Sequence, residues 1–269
     1  MNATHQPRAA EERNAELISL PLATPRGKRE LRLLVLGAFG FADGNSMIVL
    51  PGSSQRLLGF LALQNRTVTR TATAGALWPD STEEHAHASL RSALSRLSSI
   101  TRRAIHVSPD TLVLKAGVRV DIRDARALAN RLLVVGGAPA AEDTTAAAVI
   151  ALSSELLPDC YEDWAMLEAE DWRNLRLHAL DALARNLVEN GRFAEATTAA
   201  LAAVSAEPLR ETGNATLIHI HLAEGNLSEA IAAFERYRAV LQEELGLDPS
   251  PLLNELMLGI HADAHPAGA

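Results

Sequence analysis

The chain has 269 residues, of which 48% are hydrophobic and 22% charged, so it is long enough and apolar enough for one large or two ordinary globular domains. Its single cysteine, Cys160, excludes an intramolecular disulfide and a thiolate-rich zinc or iron–sulfur site. The longest apolar stretches are too short to span a bilayer, and residues 1–25 lack the hydrophobic core of a secretion signal. We therefore expect a cytoplasmic protein that makes no membrane contact.

Charge is distributed unevenly along the chain. Residues 26–120 hold thirteen Lys/Arg and six Asp/Glu, a net of +7, whereas residues 121–269 hold ten and twenty-four, a net of −14. A basic segment can neutralise phosphates, and an acidic one is repelled by them. The division predicts two modules with different partners, 26–120 and 121–269, preceded by a disordered tail over 1–25.

Two short apolar runs follow the tail. Residues 31–36 and 47–50 each read as a strand, and Asp43-Gly44 between them is a turn signal. The basic module is therefore expected to begin with a small antiparallel sheet.

Three helices and a hairpin are predicted next. The helices are expected to start at Ser53 or Ser54, to run from Thr69 to Trp78 before Pro79, and to run from about 84 to 100 after a capping box of Ser81 and Glu84. Residues 105–107 and 112–114 flank the turn Ser108-Pro109-Asp110 and predict a β-hairpin. Three helices closed by a hairpin are typical of a winged helix-turn-helix.

The third predicted helix has two distinct faces. At 100° per residue, its apolar face consists of Ala86, Leu90, Ala93, Leu94 and Leu97. The opposite face carries Arg91, Ser92 and Ser95, with Arg96 at its edge, and holds no acid after Glu84. Arginine can reach guanine or phosphate, and serine can reach either. We interpret the helix as a recognition helix for the major groove; the alternative is a serine-rich surface helix.

Other residues of the basic module are candidates for contacts with the DNA backbone. They are Gln55, Arg56, Arg70, Arg102 and Arg103. Trp78 could offer its indole N–H to a phosphate, although packing in the core or against the hairpin is an equal alternative. Each single charge in this set could instead be a solvated surface group.

Beyond Asp121 the pattern is helical throughout, with helices expected over 121–134, 164–190, 194–205, 209–224 and 228–245 and a last one from Asp248-Pro249. Gly191 and Gly225 lie 34 residues apart, and the residues around them align. A 34-residue helix–turn–helix period predicts tetratricopeptide-like repeats, with a plain helical bundle as the alternative.

Signatures of enzymes are missing from the sequence. It has no P-loop, no Gly-x-Gly-x-x-Gly after a strand and no Gly-x-Ser-x-Gly. The pairs His85/His87 and His219/His221 are two residues apart, which places their members on different sides of a helix. We expect no enzymatic activity, cofactor or metal.

Five short segments together identify a family resemblance. They are 55–63 (QRLLGFLAL), 76–80 (ALWPD), 89–97 (SLRSALSRL), Val120-Asp121 and 245–251 (LGLDPSP). In this order and spacing, the chain resembles the SARP family of actinobacterial transcriptional activators. The hairpin departs from the family's pattern at 110–114, where Asp110 at the tip would oppose a phosphate.

The resemblance implies a mostly α fold, in which an OmpR-type winged helix-turn-helix domain is followed by an all-α, tetratricopeptide-like bacterial transcriptional activator domain. It implies a short form without the ATPase region of longer members, and activation of a secondary-metabolite (antibiotic) gene cluster. Its implied partners are double-stranded promoter DNA with direct repeats, bound by a homodimer in the nucleoid, and RNA polymerase. The alternative is a tetratricopeptide-type scaffold for proteins, without specific DNA binding.

Overall fold

The computed structural model describes residues 30–134 and 139–264. The tail predicted over 1–25 lies outside these residues. The strands are β1 (Leu31–Leu34), β2 (Gly40–Asp43), β3 (Ser46–Met47), β4 (Val68–Thr69), β5 (Ile105–Val107), β6 (Thr111–Leu114) and β7 (Val118–Val120). The α-helices are α1 (Gly52–Leu63), α2 (Arg70–Leu77), α3 (Glu83–Ser95), α4 (Ser99–Ala104), α5 (Asp121–Leu132), α6 (Ala146–Ser153), α7 (Asp163–Glu189), α8 (Phe193–Ala206), α9 (Glu211–Glu224), α10 (Leu227–Leu245) and α11 (Pro251–Ala264).

The amino-terminal sheet has the strand order β3-β2-β1-β7. The predicted strand over 47–50 is wrong in extent, because only Ser46–Met47 (β3) forms a strand after the turn at Asp43-Gly44, and it pairs with β2. The antiparallel partner of β1 is β2, which the sequence analysis did not predict. All four residues of β2 are buried, so the alternating pattern that marks an exposed strand is missing. The parallel pairing of β1 with β7 joins residues almost ninety positions apart, which local pattern does not reveal.

Helices α1 to α4 pack beneath a second sheet of order β4-β6-β5, which gives the winged helix-turn-helix. The predicted third helix over 84–100 is two helices, because the Ser98 hydroxyl accepts a hydrogen bond from the Thr101 N–H and caps α4 separately. Thr82 rather than Ser81 caps α3, and α1 begins after Pro51 without a side-chain cap. Thr69 caps α2 as predicted.

The helical half contains the predicted repeat. Gly191 and Gly225 both adopt positive φ, 70° and 84°, which glycine tolerates without the steric cost of a Cβ. Each is followed by the same helix-ending hydrogen bond, from the Arg192 N–H to the Leu187 carbonyl and from the Asn226 N–H to the His221 carbonyl. The equivalent bonds are 34 residues apart. Helix α7 packs on α8, and α9 packs on α10, as two consecutive helical hairpins.

The two halves share one hydrophobic core. The Asp121 carboxylate, at the start of α5, accepts hydrogen bonds from the backbone N–H groups of Val35 and Leu36 at 3.0 Å. Residues 155–157 pair with 35–37 as an added bridge beside β1. The change in net charge at residue 121 therefore does not coincide with a break in the hydrophobic core.

Asp143 lies in the short 3-10 turn Ala141–Thr144 and anchors it to α5. Its buried carboxylate accepts three hydrogen bonds from the Arg131 guanidinium, at 2.6–3.2 Å, and these hold the pKa of Asp143 below its usual range. The carboxylate is thus ionised in the folded chain at a lower pH than in the unfolded chain.

We expect Asp143→Asn to lower the free energy of unfolding by about 1–2 kcal/mol at neutral pH, because asparagine carries no negative charge and only its Oδ1 can still accept from the Arg131 guanidinium. In the parent chain this contribution is present above the ordinary pKa of aspartate and is lost as the pH falls through the lowered pKa of the folded state. The difference in free energy of unfolding between parent and variant, measured by urea denaturation, should therefore become smaller as the pH is lowered. Glu195→Gln, at an exposed pair with Arg192, is the control and should change stability little; a pH-independent difference for Asp143→Asn would contradict the assignment.

Candidate nucleic-acid interface

Helix α3 is held in place by its apolar face and presents the opposite face to solvent. Ala86, Leu90 and Ala93 are buried, whereas Arg91, Ser95 and Arg96 are exposed and Ser92 is half-buried. Arg91 and Arg96 form no ion pair with the described residues. The face predicted from the wheel therefore carries two guanidinium groups that are available to a ligand.

Three arginines from three different elements meet beside α3. Arg70 from the start of α2, Arg91 from α3 and Arg102 from α4 line one open cavity of about 430 Å³. The rest of the lining consists of Leu94, Ser95, Leu97 and the first residues of the hairpin, Ile105 to Val107. No carboxylate lines this cavity, so it concentrates positive charge between α3 and the hairpin.

Arg102 also has a structural role. Its guanidinium donates to the carbonyl oxygens of Ser95, at 3.2 Å, and Leu94, at 3.5 Å, where the last turn of α3 leaves acceptors unpaired. A cation at this end also favours the helix dipole. Arg103 points elsewhere and forms an ion pair with the buried Asp43 of β2, with N–O 3.6 Å.

Gln55, Arg56 and Trp78 do not join this cavity. Arg56 forms an ion pair with Glu162 of the helical half, with Nε–Oε1 2.5 Å, and lies over the Trp78 ring at 5.6 Å. Gln55 donates to the Leu50 carbonyl at 2.8 Å. DNA contacts by these three residues stay a prediction, and the structure brings them together at the junction of the two halves.

The hairpin is fixed at its tip. The Arg70 N–H donates to the Asp110 carbonyl at 2.8 Å, and β4 pairs with β6. Exposed His106 and Val107 face the cavity beside α3, and the sequence reasoning missed both as possible contacts. Alternation along the predicted strand is a signal for His106, which lies on the face opposite buried Ile105. Val107 lies on the same side as Ile105 by that alternation, so its exposure has no signal in the local pattern.

His85 and His87 have separate local partners. His85 bonds to Thr82, and His87 lies 3.4 Å from the Thr71 hydroxyl and 3.8 Å from Glu83. Within residues 30–134 and 139–264, no three His, Cys, Asp or Glu side chains cluster as metal ligands would. The helices in the same ranges include none with the length and apolar character needed to cross a membrane. Burial raises the pKa of the half-buried Cys160 thiol.

Comparisons with known proteins identify relatives for most of the chain. The Bacterial transcriptional activator domain family matches residues 120–261. The chain is 30% identical over 243 residues to the Regulatory protein AfsR of Streptomyces griseus, and 30% identical over 251 residues to that of Streptomyces coelicolor. These alignments cover 84% and 88% of this chain but 24% and 25% of the relatives, so the chain spans about a quarter of their length.

A solved structure with a similar fold is Mycobacterium tuberculosis EmbR in complex with a low-affinity phosphopeptide. It superposes with a TM-score of 0.65 at 22% identity. The superposition covers 88% of this chain and 66% of that chain. At this identity, the likeness shows the shared arrangement of a winged helix and a helical half.

Proposed function

Because the chain belongs to the SARP family of transcriptional activators, we propose that it binds promoter DNA through α3 and activates transcription there. The observation that carries the proposal is the cluster of Arg70, Arg91 and Arg102 around one carboxylate-free cavity beside an exposed helix face. An α-helix fits the major groove, and arginines on either side of it can hold the phosphates. The division at residue 120/121 is proposed as the functional boundary between DNA binding and activation.

Within this arrangement we assign different roles to the arginines. Arg91 and Ser95 are placed to reach base edges, because they lie on the outer face of α3. Arg70 and Arg102 flank that face and are placed to contact phosphates. Arg102 can do both its structural and its phosphate-binding task, since its bonds to the α3 carbonyls use one terminal nitrogen.

The acidic half, with its net charge of −14, contributes through protein contacts rather than through DNA. We propose that it pairs two copies on direct repeats and recruits RNA polymerase. The regulated genes are proposed to form a secondary-metabolite cluster, in keeping with the family resemblance.

Salt dependence of a gel shift tests DNA binding directly. If Arg70 and Arg102 of each copy neutralise phosphates, the logarithm of the affinity should fall against the logarithm of salt concentration with a slope of about −1.8 per copy. Arg70→Ala should reduce the magnitude of that slope by about one and weaken all sequences alike. A slope near zero would instead support the scaffold alternative.

Spacing between the repeats tests the side-by-side arrangement. Two recognition helices on one face of the duplex need half-sites about 10–10.5 bp apart. Inserting about five base pairs should place the second copy on the opposite face and abolish cooperative binding in footprinting, while each half-site alone is bound as before. An insertion of about ten base pairs is the matched control and should restore part of the cooperativity. Undiminished cooperativity with five, or a strict preference for inverted repeats, would contradict the arrangement.

A further inference from the structure

A second cavity, of about 450 Å³, opens at the junction between α1 and the segment that leads into α7. It is distinct from the cavity beside α3, because the two cavities have no lining residue in common. Its volume lies in the range of small-molecule sites, which occur preferentially where two structural units meet. Both halves of the chain contribute to its walls.

The floor of this junction cavity is apolar and closely packed. Gly59 on α1 is buried, and the side chains of Trp164, Leu157 and Phe39 lie 3.6–3.9 Å from where its Cβ would be. The half-buried Trp164 ring is fixed by an edge-to-face contact with Phe60, with ring centroids 5.6 Å apart, and by its indole N–H, which donates to Glu162 at 2.6 Å. A planar ring can therefore stack against a preformed indole surface.

The backbone beside this floor is strained. Leu157 has a φ of +43°, and it is the one non-glycine residue with positive φ in the described parts of the chain. A leucine in this region is disfavoured by its Cβ, and such conformations persist where the surroundings enforce them, often at ligand sites. Here the conformation places the buried Leu157 side chain against Gly59.

The rim offers a specific polar contact. Arg56 uses Nε in its ion pair with Glu162, and its two terminal nitrogens form no hydrogen bond with the residues that the structure describes. These N–H groups are donors for an oxygen of a ligand that lies on the floor. Asp159 and Glu162 on the same rim exclude ligands with several negative charges.

From these features we propose that the junction cavity binds a planar aromatic small molecule that carries one oxygen acceptor or a single negative charge. The ring stacks on the half-buried Trp164 indole that lines the cavity, and the oxygen accepts from Arg56. Because the ligand touches α1 and the segment before α7 together, it stabilises the junction of the two halves. This site goes beyond the proposed DNA-binding function and does not depend on it.

The test uses 8-anilinonaphthalene-1-sulfonate, an aromatic monoanion whose fluorescence rises on binding, with the full chain and no DNA. Gly52 also lines the cavity and has open space around its Cβ position, so Gly52→Leu should fill the mouth without a clash. We expect this variant to bind the probe at least about tenfold more weakly, since the added methylenes must be accommodated in the site. Gly75→Leu, on α2 with equally open space and outside the cavity, is the matched control and should bind as the parent does.

Cys160 gives a second, independent readout because it is the one cysteine and lines the cavity. At a probe concentration ten times the Kd, modification of Cys160 by 5,5′-dithiobis(2-nitrobenzoate) should slow about tenfold, since about one site in eleven is then empty. If Gly52→Leu melts early, Ala38→Leu on the opposite wall replaces it.

Equal probe binding by parent and Gly52→Leu, equal loss in Gly75→Leu, or unprotected Cys160 would each overturn the proposal. A failure of DNA binding in the salt experiment leaves these results unaffected, so the two proposals fail separately.

Discussion

Replacing Arg91 by alanine should weaken operator binding by about 5- to 150-fold, the equivalent of about 1–3 kcal/mol. The guanidinium is exposed on α3, forms no ion pair with the described residues and lies among Arg70, Arg102 and Ser95. Its loss removes the proposed contact to DNA without removing a hydrogen bond or an ion pair of the folded protein, so the melting temperature should stay near that of the parent. Quantitative gel shifts at fixed salt, with parallel thermal melts, measure both quantities.

The pattern of the loss distinguishes the two possible roles of Arg91. A base contact predicts reduced discrimination against substitutions at one base pair of each half-site, whereas a phosphate contact predicts a uniform loss across sequences. Arg236→Ala, which removes an exposed arginine from α10 in the acidic half, is the control and should bind the operator as the parent does. If Arg91→Ala and Arg96→Ala both matched the parent, α3 would not be the recognition helix.

The long helices were predictable because each repeats its apolar residues over many turns. Helix α7 is predicted over 164–190 and observed at Asp163–Glu189, and the 34-residue spacing of Gly191 and Gly225 identifies the hairpins on either side. The fold class, a winged helix followed by an all-helical half, is confirmed. The spacing of apolar residues and the family resemblance were each sufficient to predict the long helices and the fold class.

Elements whose stability comes from distant partners were missed. Helix α6 is rich in alanine, so its buried and exposed positions are chemically alike and no period is visible. Strand β7 has three residues and pairs in parallel with β1 at the far end of the winged helix. In each case the deciding contacts are long-range.

Distant partners also decide which arginines are available to DNA. Arg56 and Arg91 have the same chemistry and both lie in motifs of the family resemblance, yet Arg56 meets Glu162, more than a hundred residues away. The sequence contains no local sign of that pair. Arg70, Arg91 and Arg102 come from three helices, and only the folded chain shows that they share one cavity.

Replacing Asp121 by alanine should produce the largest loss of stability, about 3 kcal/mol or more. Its carboxylate accepts from the N–H groups of Val35, Leu36 and Ile122, at 2.7–3.0 Å, and so joins the end of β1 to the start of α5. Alanine leaves all three donors without their acceptor, and each unsatisfied buried donor costs about 1–3 kcal/mol. Because β1 and residues 155–157 are paired at the same place, both halves should lose stability together in a single transition.

The matched control is Asp124→Ala, one turn further along α5, which removes an exposed ion pair to Arg119 and should cost no more than about 1 kcal/mol. Asp121→Asn should be milder than Asp121→Ala, because it keeps one acceptor oxygen.

Burial raises the pKa of Asp121, so the folded chain holds the proton of this carboxyl group more tightly than the unfolded chain does. The stability of the parent relative to Asp121→Asn should therefore fall as the pH rises through that raised pKa. Urea denaturation of the four proteins, followed by tryptophan fluorescence and by circular dichroism, measures these differences. Equal stabilities of Asp121→Ala and Asp124→Ala, or separate transitions for the two halves, would show that Asp121 does not join them.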